Sequence, residues 1–386
     1  MLAHALYHAR PPGLPWPAWA DTAGLRTVRM AGHQLSTTRR TRVRVAVRLR
    51  QAFTLLVLGL ACLLAGCATM DRMGANIGMR FAENHILPPV LTDDDLQMGC
   101  IDGEVFSPIV LSMGPVGLGA ENDQIATLLY STAALCAEQA ALDSELTYLR
   151  ATRESRIEEA EDARIVQKRW LAMAAQRQYH AYQHFEHYYT GTSGDVIGGK
   201  CPPFRNDLDE LVFMLGAISG LQAIVNDVNS QNAVNVPKDI AAKTERAMTC
   251  LDNAKWWGLP KAVRAAVWNL MPGGGPEEPW GVIQKSMDIG KQKGVRIAYA
   301  IYAISAYAKG DDARLQDAFK QYQATVDDPN YTPSVQYRIF DRVGDMIIWG
   351  ISDRYQSEHV GTRTPAGALV PAEAPDVSKL KLDDLL

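Results

Sequence analysis

From residue 67 onward the apolar positions recur at three- and four-residue spacing almost without a gap, and no run of alternating β-branched residues occurs that would serve as a strand. This pattern restricts the chain to an all-α fold. It predicts helices over about 69–85, 93–113, 121–157, 159–189, 206–229, 236–254, 259–270, 280–308, 311–326 and 333–356. The breaks carry Pro88 and Pro89, Gly191 to Pro203, Pro237, Pro260, Gly273 to Pro279, Gly310 and Pro329. Helix pairs joined by short turns predict an array of antiparallel hairpins, a degenerate relative of the tetratricopeptide arrangement, although neither its 34-residue signature nor a clean internal repeat is present.

The first 66 residues are of a different kind. They hold nine Arg and one acid, Asp21, which leaves 30 basic against 42 acidic residues over 67–386. A body so acidic, with no basic run, is a poor partner for phosphate backbones, so nucleic-acid binding is not expected. In the leader, Arg39 to Arg50 precede the apolar segment from Ala52 to Gly66, which is short for a span that needs about 20 residues. The order of cations, apolar run and small residues before a Cys, Leu64 to Cys67, matches a lipoprotein signal peptide. Residues 38–66 are expected to be this signal, with Met30 a candidate true start and 1–29 outside the fold. Cys67 is expected to carry the lipid (palmitate among its acyl chains), and Ala68 fits sorting to the outer membrane on the periplasmic side. Residues 67–360 then form the helical domain, and 361–386, rich in Pro, Ala and charge, a flexible tail.

Four cysteines remain, Cys100, Cys136, Cys201 and Cys250. An even count in an oxidising compartment points to two disulfides. Three pairings are open. The pairs nearest in the chain, Cys100 with Cys136 and Cys201 with Cys250, would each tie one helix or loop to the next, and four buried thiols are the alternative.

Chemistry-bearing motifs are sparse. His180, His184 and His187 share one helix stripe, a spacing able to chelate zinc or nickel. The competing reading is a surface aromatic stripe among Tyr179, Tyr182, Phe185, Tyr188 and Tyr189, and no resident metal or other cofactor is expected. Gly194 to Cys201 is one residue from a phosphate-binding loop, but Cys201 replaces the hydroxyl residue and Pro202 and Pro203 block the helix that should follow. No nucleophile elbow or zincin motif occurs, so a non-enzyme is expected. The segment Leu211 to Val225 is apolar on nearly every side, with Gly216 and Gly220 one turn apart, and predicts a central helix closely approached by a neighbour, too short to cross a bilayer. The mixed small and aromatic residues of Val295 to Ala308 predict tight helix pairing.

From about 85 to 356 the chain resembles the T-component of tripartite ATP-independent periplasmic (TRAP) transporters. The resemblance rests on Pro272 to Trp280 leading into Lys285 to Asp288, then Val295 to Ala308, Asp311 with Asp312, and Phe319. Tyr130 with Ser131, Leu211 to Val225 and Lys243 to Asp252 match in order and character. It implies a lipid-anchored homotrimer with a channel through each protomer, docked to the solute-binding P-component and passing it a small, hydrophobic ligand. A general scaffold lipoprotein that assembles envelope complexes is the alternative. Tyr130, Phe213, Met214, Trp268, Tyr299 and Tyr302 are the candidate channel lining, with core packing as the competing reading of each.

Overall fold

The structure, a computed structural model, describes residues 87–113, 121–191, 194–271, 273–367 and 369, together with Arg50, Phe53, Thr54, Ile77, Gly78, Arg80, Phe81, Asn84 and His85. The chain divides into Met1–Ala65 and Gly66–Leu386, and the account below concerns the second unit. The predicted leader, the lipidation site Cys67 and most of the helix expected over 69–85 lie outside the described residues.

Among the described residues eleven α-helices pack on one another and no strand occurs. They are α1 (Leu87–Thr92), α2 (Leu96–Met113), α3 (Glu121–Arg153), α4 (Ile157–Thr190), α5 (Asp207–Asn229), α6 (Ile240–Ala247), α7 (Leu259–Leu270), α8 (Pro279–Lys293), α9 (Ile297–Lys309), α10 (Asp312–Val326) and α11 (Arg338–His359). A short 3₁₀ turn, Met248–Cys250, follows α6.

Three boundaries differ from expectation for local reasons. Pro88 and Pro89 lie inside α1 instead of before a helix, because prolines in a first turn forfeit only N–H groups that have no intrahelical partner. The helix expected over 236–254 starts late, since the backbone N–H groups of Val234, Asn235 and Val236 all donate to the buried Asp227 carboxylate. The helix expected over 280–308 is two helices. Gly294 between them has φ 75° and donates back to Gly290, while its carbonyl accepts from Ser334 N–H at 2.9 Å. A side chain there would have its Cβ 2.5 Å from Ser334 N.

α3 and α4 form one long hairpin. Alanines on their buried faces, among them Ala133, Ala137 and Ala141 on α3 and Ala174 and Ala181 on α4, let the backbones approach until Arg177 reaches the Ala133 carbonyl at 2.6 Å. Cys100–Cys136 ties α2 to α3, and Cys201–Cys250 ties the loop after α4 to the 3₁₀ turn, the two pairings nearest in the chain. α5 lies on the hairpin as its glycines require. Cβ atoms at Gly216 and Gly220 would lie 2.5 Å from Phe185 Cβ and 2.4 Å from the Tyr182 ring. α5 spans 23 residues and is long enough to cross a membrane, contrary to the expectation, but most of its apolar stretch is buried against its neighbours.

Beyond the hairpin the helices close a ring. α3 packs on α5, α5 on α6, α6 on α7, α7 on α9, α9 on α11, and α11 on α3 again. Helices on opposite sides of this ring, such as α5 and α9 or α5 and α11, do not pack along their lengths. Arg296, just before α9, fastens one side. Its Nε and Nη2 donate to Asp341 of α11 at 2.9 and 2.7 Å, its backbone N–H donates to the same carboxylate at 2.9 Å, and Nη1 donates to Thr325 of α10 at 3.3 Å. Both ions are buried, and the rings of Tyr322 and Tyr331 lie 4.8 and 4.2 Å from the guanidinium carbon. The first residues of the expected tail are held too. Arg363 pairs with Asp143 and Asp353, Thr364 N–H donates to Asp353, and Leu369 is buried.

Removing one member of the Arg296–Asp341 pair strands the other charge in the core. Asp341→Asn is expected to cost about 3–5 kcal/mol in urea unfolding, and Arg296→Met with Asp341→Leu together much less. Equal losses in the single and double variants would show that the pair does not carry this joint.

Candidate functional site

Three sides of α5 meet neighbouring helices through named contacts. Gly216 and Gly220 face α4. Ser219 meets Ser131 of α3 at 2.7 Å, and Asn226 Nδ2 donates to Glu138 of α3 at 2.7 Å. Ala217 accepts from Thr244 of α6 at 3.0 Å. The stripe that remains, Ile218, Leu221 and Val225, runs at helical spacing on the opposite side. Ile218 and Leu221 are half-buried and pack against the core cluster that contains Trp257, Ile297 and Phe340, while Val225 is 54% exposed.

At the N-terminal end of α5 the ring has an aromatic floor. Trp256 and Trp257 stand edge to face with centroids 5.5 Å apart, and Trp257 packs on Tyr337 at 4.8 Å and Phe340 at 5.2 Å. Leu211 and Met214 of α5 and Ile297 of α9 belong to the same buried cluster. Trp257 has φ 53°, a left-handed conformation that costs a bulky residue about 1–3 kcal/mol and persists only where packing dictates it. Ile301 of α9 packs against this cluster and against the second core of Trp268, Met287, Phe319 and Ile348, so it joins the two.

Along the α3 wall the site becomes polar. Glu138 is half-buried where α3, α4 and α5 meet. Its Oε1 accepts from Gln178 at 2.8 Å and from Asn226 at 2.7 Å, and Asn226 also donates to Gln178 Oε1 at 2.8 Å. Across from it Arg354 of α11 donates through Nε to Glu145, one further carboxylate along α3, at 2.7 Å. Burial pushes the Glu138 carboxyl above its ordinary value, although the two amides and Arg354 act the other way. Burial, then the Glu358 and Glu145 carboxylates, push the nearby Tyr307 hydroxyl up to about 12.

Two histidines of the stripe are engaged by a carboxylate. His184 and His187 each donate from Nδ1 to one carboxylate, Asp123 of α3, at 2.6 Å, while His180 Nδ1 lies 3.2 Å from Gln183. Among the described residues no group of three His, Cys, Asp or Glu is arranged to hold a metal ion. Tyr130 stacks on His184 with centroids 5.7 Å apart and leans on His180 at 5.4 Å. Next to this pair, the buried Asp209 accepts from Gln124 and Tyr189 at 2.7 Å each and from Arg205 N–H at 3.0 Å, closing the end of the α3–α4–α5 bundle. Burial opposes ionisation of Asp123, but the His184 and His187 hydrogen bonds outweigh it and hold its carboxyl below the ordinary value.

Of the six candidate lining residues, Phe213 and Met214 are buried in one core cluster, and Trp268, Tyr299 and Tyr302 in the other. Tyr130 lies against the histidines. Their positions are those of packing side chains, with Tyr302 OH donating to Asp317 at 3.0 Å and Trp268 Nε1 to Glu245 at 3.0 Å. None of them borders the open cleft of about 550 Å³ at the α3–α4 tip, which is lined by Tyr148, Ile157, Glu161, Arg164 and Ile165 among others. Sequence reasoning missed the aromatic floor and the clamp on Glu138. The one legible signal was the all-round apolarity of Leu211 to Val225, which marked a central helix. No family model, curated protein or solved structure matches the chain.

Because the Asp123 carboxyl sits below its ordinary 3.8, it stabilises the fold above that pH and loses the contribution as pH falls through its folded value. Asp123→Asn should lower the melting temperature at near-neutral pH and flatten its decline below about pH 4. Parallel melting curves for variant and parent across this range would contradict that assignment.

Proposed function

We propose that this chain is a non-catalytic exported lipoprotein acting as a T-component-like transport subunit. It takes a small apolar or amphipathic ligand into its helix ring and presents it to a solute-binding P-component. The observation that carries the reading is the apolar surface at the C-terminal end of α5, where Val225 and Val228 are 54% and 52% exposed beyond the core on which Ile218 and Leu221 pack. Open apolar surface is favourable for a ligand that sheds water on entry. Two disulfides suit an oxidising compartment, consistent with export and a lipid on Cys67 that holds the domain at the periplasmic face of the outer membrane. The tetratricopeptide-like pairing and the homotrimer belong to the same proposal. A scaffold that assembles envelope complexes is the second reading. It is favoured by the open cleft at the α3–α4 tip, where Ile157 is 69% and Ile165 48% exposed.

Two measurements test the reading. The mature chain should bind the solute-binding protein of its own transporter operon with a Kd at or below about 10 μM. It should also take up 1-octanol by calorimetry, and Val225→Asp with Val228→Asp should weaken that uptake at least about tenfold, a charge in an apolar site being costly. A chain that joins the partner but takes up no octanol supports the scaffold reading instead. Absence of both interactions removes the transport reading.

A further inference from the structure

α2 turns a row of large apolar side chains to solvent. Met98, Ile101, Val105 and Ile109 are 51%, 40%, 52% and 44% exposed. Their spacing of three, four and four residues places them on one arc of about 80°, over a length of about 16 Å. The opposite arc is the packed one. Cβ atoms at Gly99 and Gly103 would lie 3.2 Å from Ile339 and 2.5 Å from the Ala133 backbone, Ser107 and Val110 are buried, and Cys100 is bonded to Cys136 of α3. The disulfide fixes which side of α2 meets α3, so the helix cannot roll to bury the row. α2 holds no Lys or Arg, and the one acid among its exposed residues, Glu104, is paired with Arg177 at 2.6 Å.

A stable protein partner takes about 20–30 residues a side, whereas α2 exposes eight, from Gln97 to Ser112. A lipid surface needs no such area, only apolar side chains on one helix face held close to it. Position in the chain supplies the closeness. Six large apolar side chains, the four of α2 with Ile77 and Phe81, are exposed between residues 77 and 109, and none is exposed among the described residues from 110 to 156. Cys67 precedes the first residue of α1, Leu87, by 20 positions (87 − 67), a tether that reaches at most about 70 Å. The open apolar surface is thus densest beside the proposed anchor.

We infer that the outer arc of α2 lies on the bilayer that holds the Cys67 lipid, with Met98, Ile101, Val105 and Ile109 set among phospholipid acyl chains as a second, non-covalent membrane contact. The inference rests on the proposed lipoprotein reading and adds how the domain sits on its membrane. Tethering makes the contact intramolecular, so four side chains suffice where a free protein would need more. Charge selects the lipid. Asp93, Asp94 and Asp95 lead into α2 and no cation stands on the arc, so zwitterionic phospholipid is preferred to anionic.

The test is flotation of the mature chain carrying Cys67→Ser, which can take no lipid, with phosphatidylcholine vesicles, and thermal melting is the folding control. The chain should float at millimolar lipid, and Val105→Asp with Ile109→Asp should lower its partition at least about tenfold. Should that variant melt early, Val105→Ser with Ile109→Ser replaces it and should lower partition in the same direction. Ile157→Asp with Ile165→Asp, at exposed apolar positions on α4, should float like the parent. Raising salt from about 0.1 to 0.5 M should change partition less than about twofold, and about 30% phosphatidylglycerol should weaken it. Equal partition of parent and α2 variant, equal loss in the α4 variant, or flotation that requires phosphatidylglycerol overturns the inference. So does a parent that stays with the soluble fraction but sediments as a dimer that the α2 variant abolishes, because the arc then belongs to a second copy. Mass spectrometry of the native chain separates the two readings. Acyl chains on Cys67 with no flotation of the unlipidated form overturn the α2 contact alone, and a bare Cys67 overturns both.

Discussion

The packing of α5 on α4 at Gly216 and Gly220 is the constraint from which the rest of the architecture follows. With no Cβ at these positions, Phe185 and Tyr182 seat against the α5 backbone, and the helix commits one full side to the hairpin. The remaining sides are then fixed by rotation alone. Ser219 and Asn226 must turn to α3, Ala217 to α6, and Ile218, Leu221 and Val225 to the interior of the ring. A larger residue at either glycine would push α5 outward or rotate it, and the apolar stripe would lose its direction before any residue of the stripe was altered.

The far side of the ring is held by a different kind of force. α9 supplies small residues, with Ala298, Ala303, Ser305 and Ala306 fully buried, so neighbouring helices can surround it closely, but small residues supply little apolar area each. Aromatic contacts and one buried ion pair make up the difference. Tyr299 meets Tyr322, Trp280 meets Tyr302, and Arg296 joins α9, α10 and α11 through a single guanidinium. Aromatic pairs contribute about 0.5–1.5 kcal/mol each beyond their buried area, enough to offset the strained backbone at Trp257 where the floor requires it.

The sequence disclosed those features that depend on neighbours in the chain. Helical periodicity predicted the all-α array, the Gly216 and Gly220 pair predicted a close approach, and the mixture of Ala and Tyr after Val295 predicted a crowded helix. The break at Gly294 was hidden because the apolar rhythm continues through it, and only the approach of Ser334 from a distant loop explains why the helix must stop there. The histidine stripe was visible, but its partner Asp123 lies 61 and 64 positions earlier, and no local rule brings it to them. The aromatic candidates for a ligand lining went mostly to the two cores for a related reason. Large rings bury the most area, so a fold short of other bulky residues spends them on packing and leaves β-branched and aliphatic side chains on the open face.

Glu138 illustrates why a polar group belongs between packed helices at all. A half-buried carboxylate is costly, but Leu or Met at the same position on α3 would leave the buried amides of Gln178 and Asn226 without the acceptor they share. Stability therefore supplies a reason to keep it. The amide clamp from α4 and α5 also makes the arrangement hard to attain by drift, since three helices must agree on the position of one oxygen. A carboxylate oriented by three elements in this way belongs to the joint of α3, α4 and α5, where one oxygen satisfies two buried amides at once.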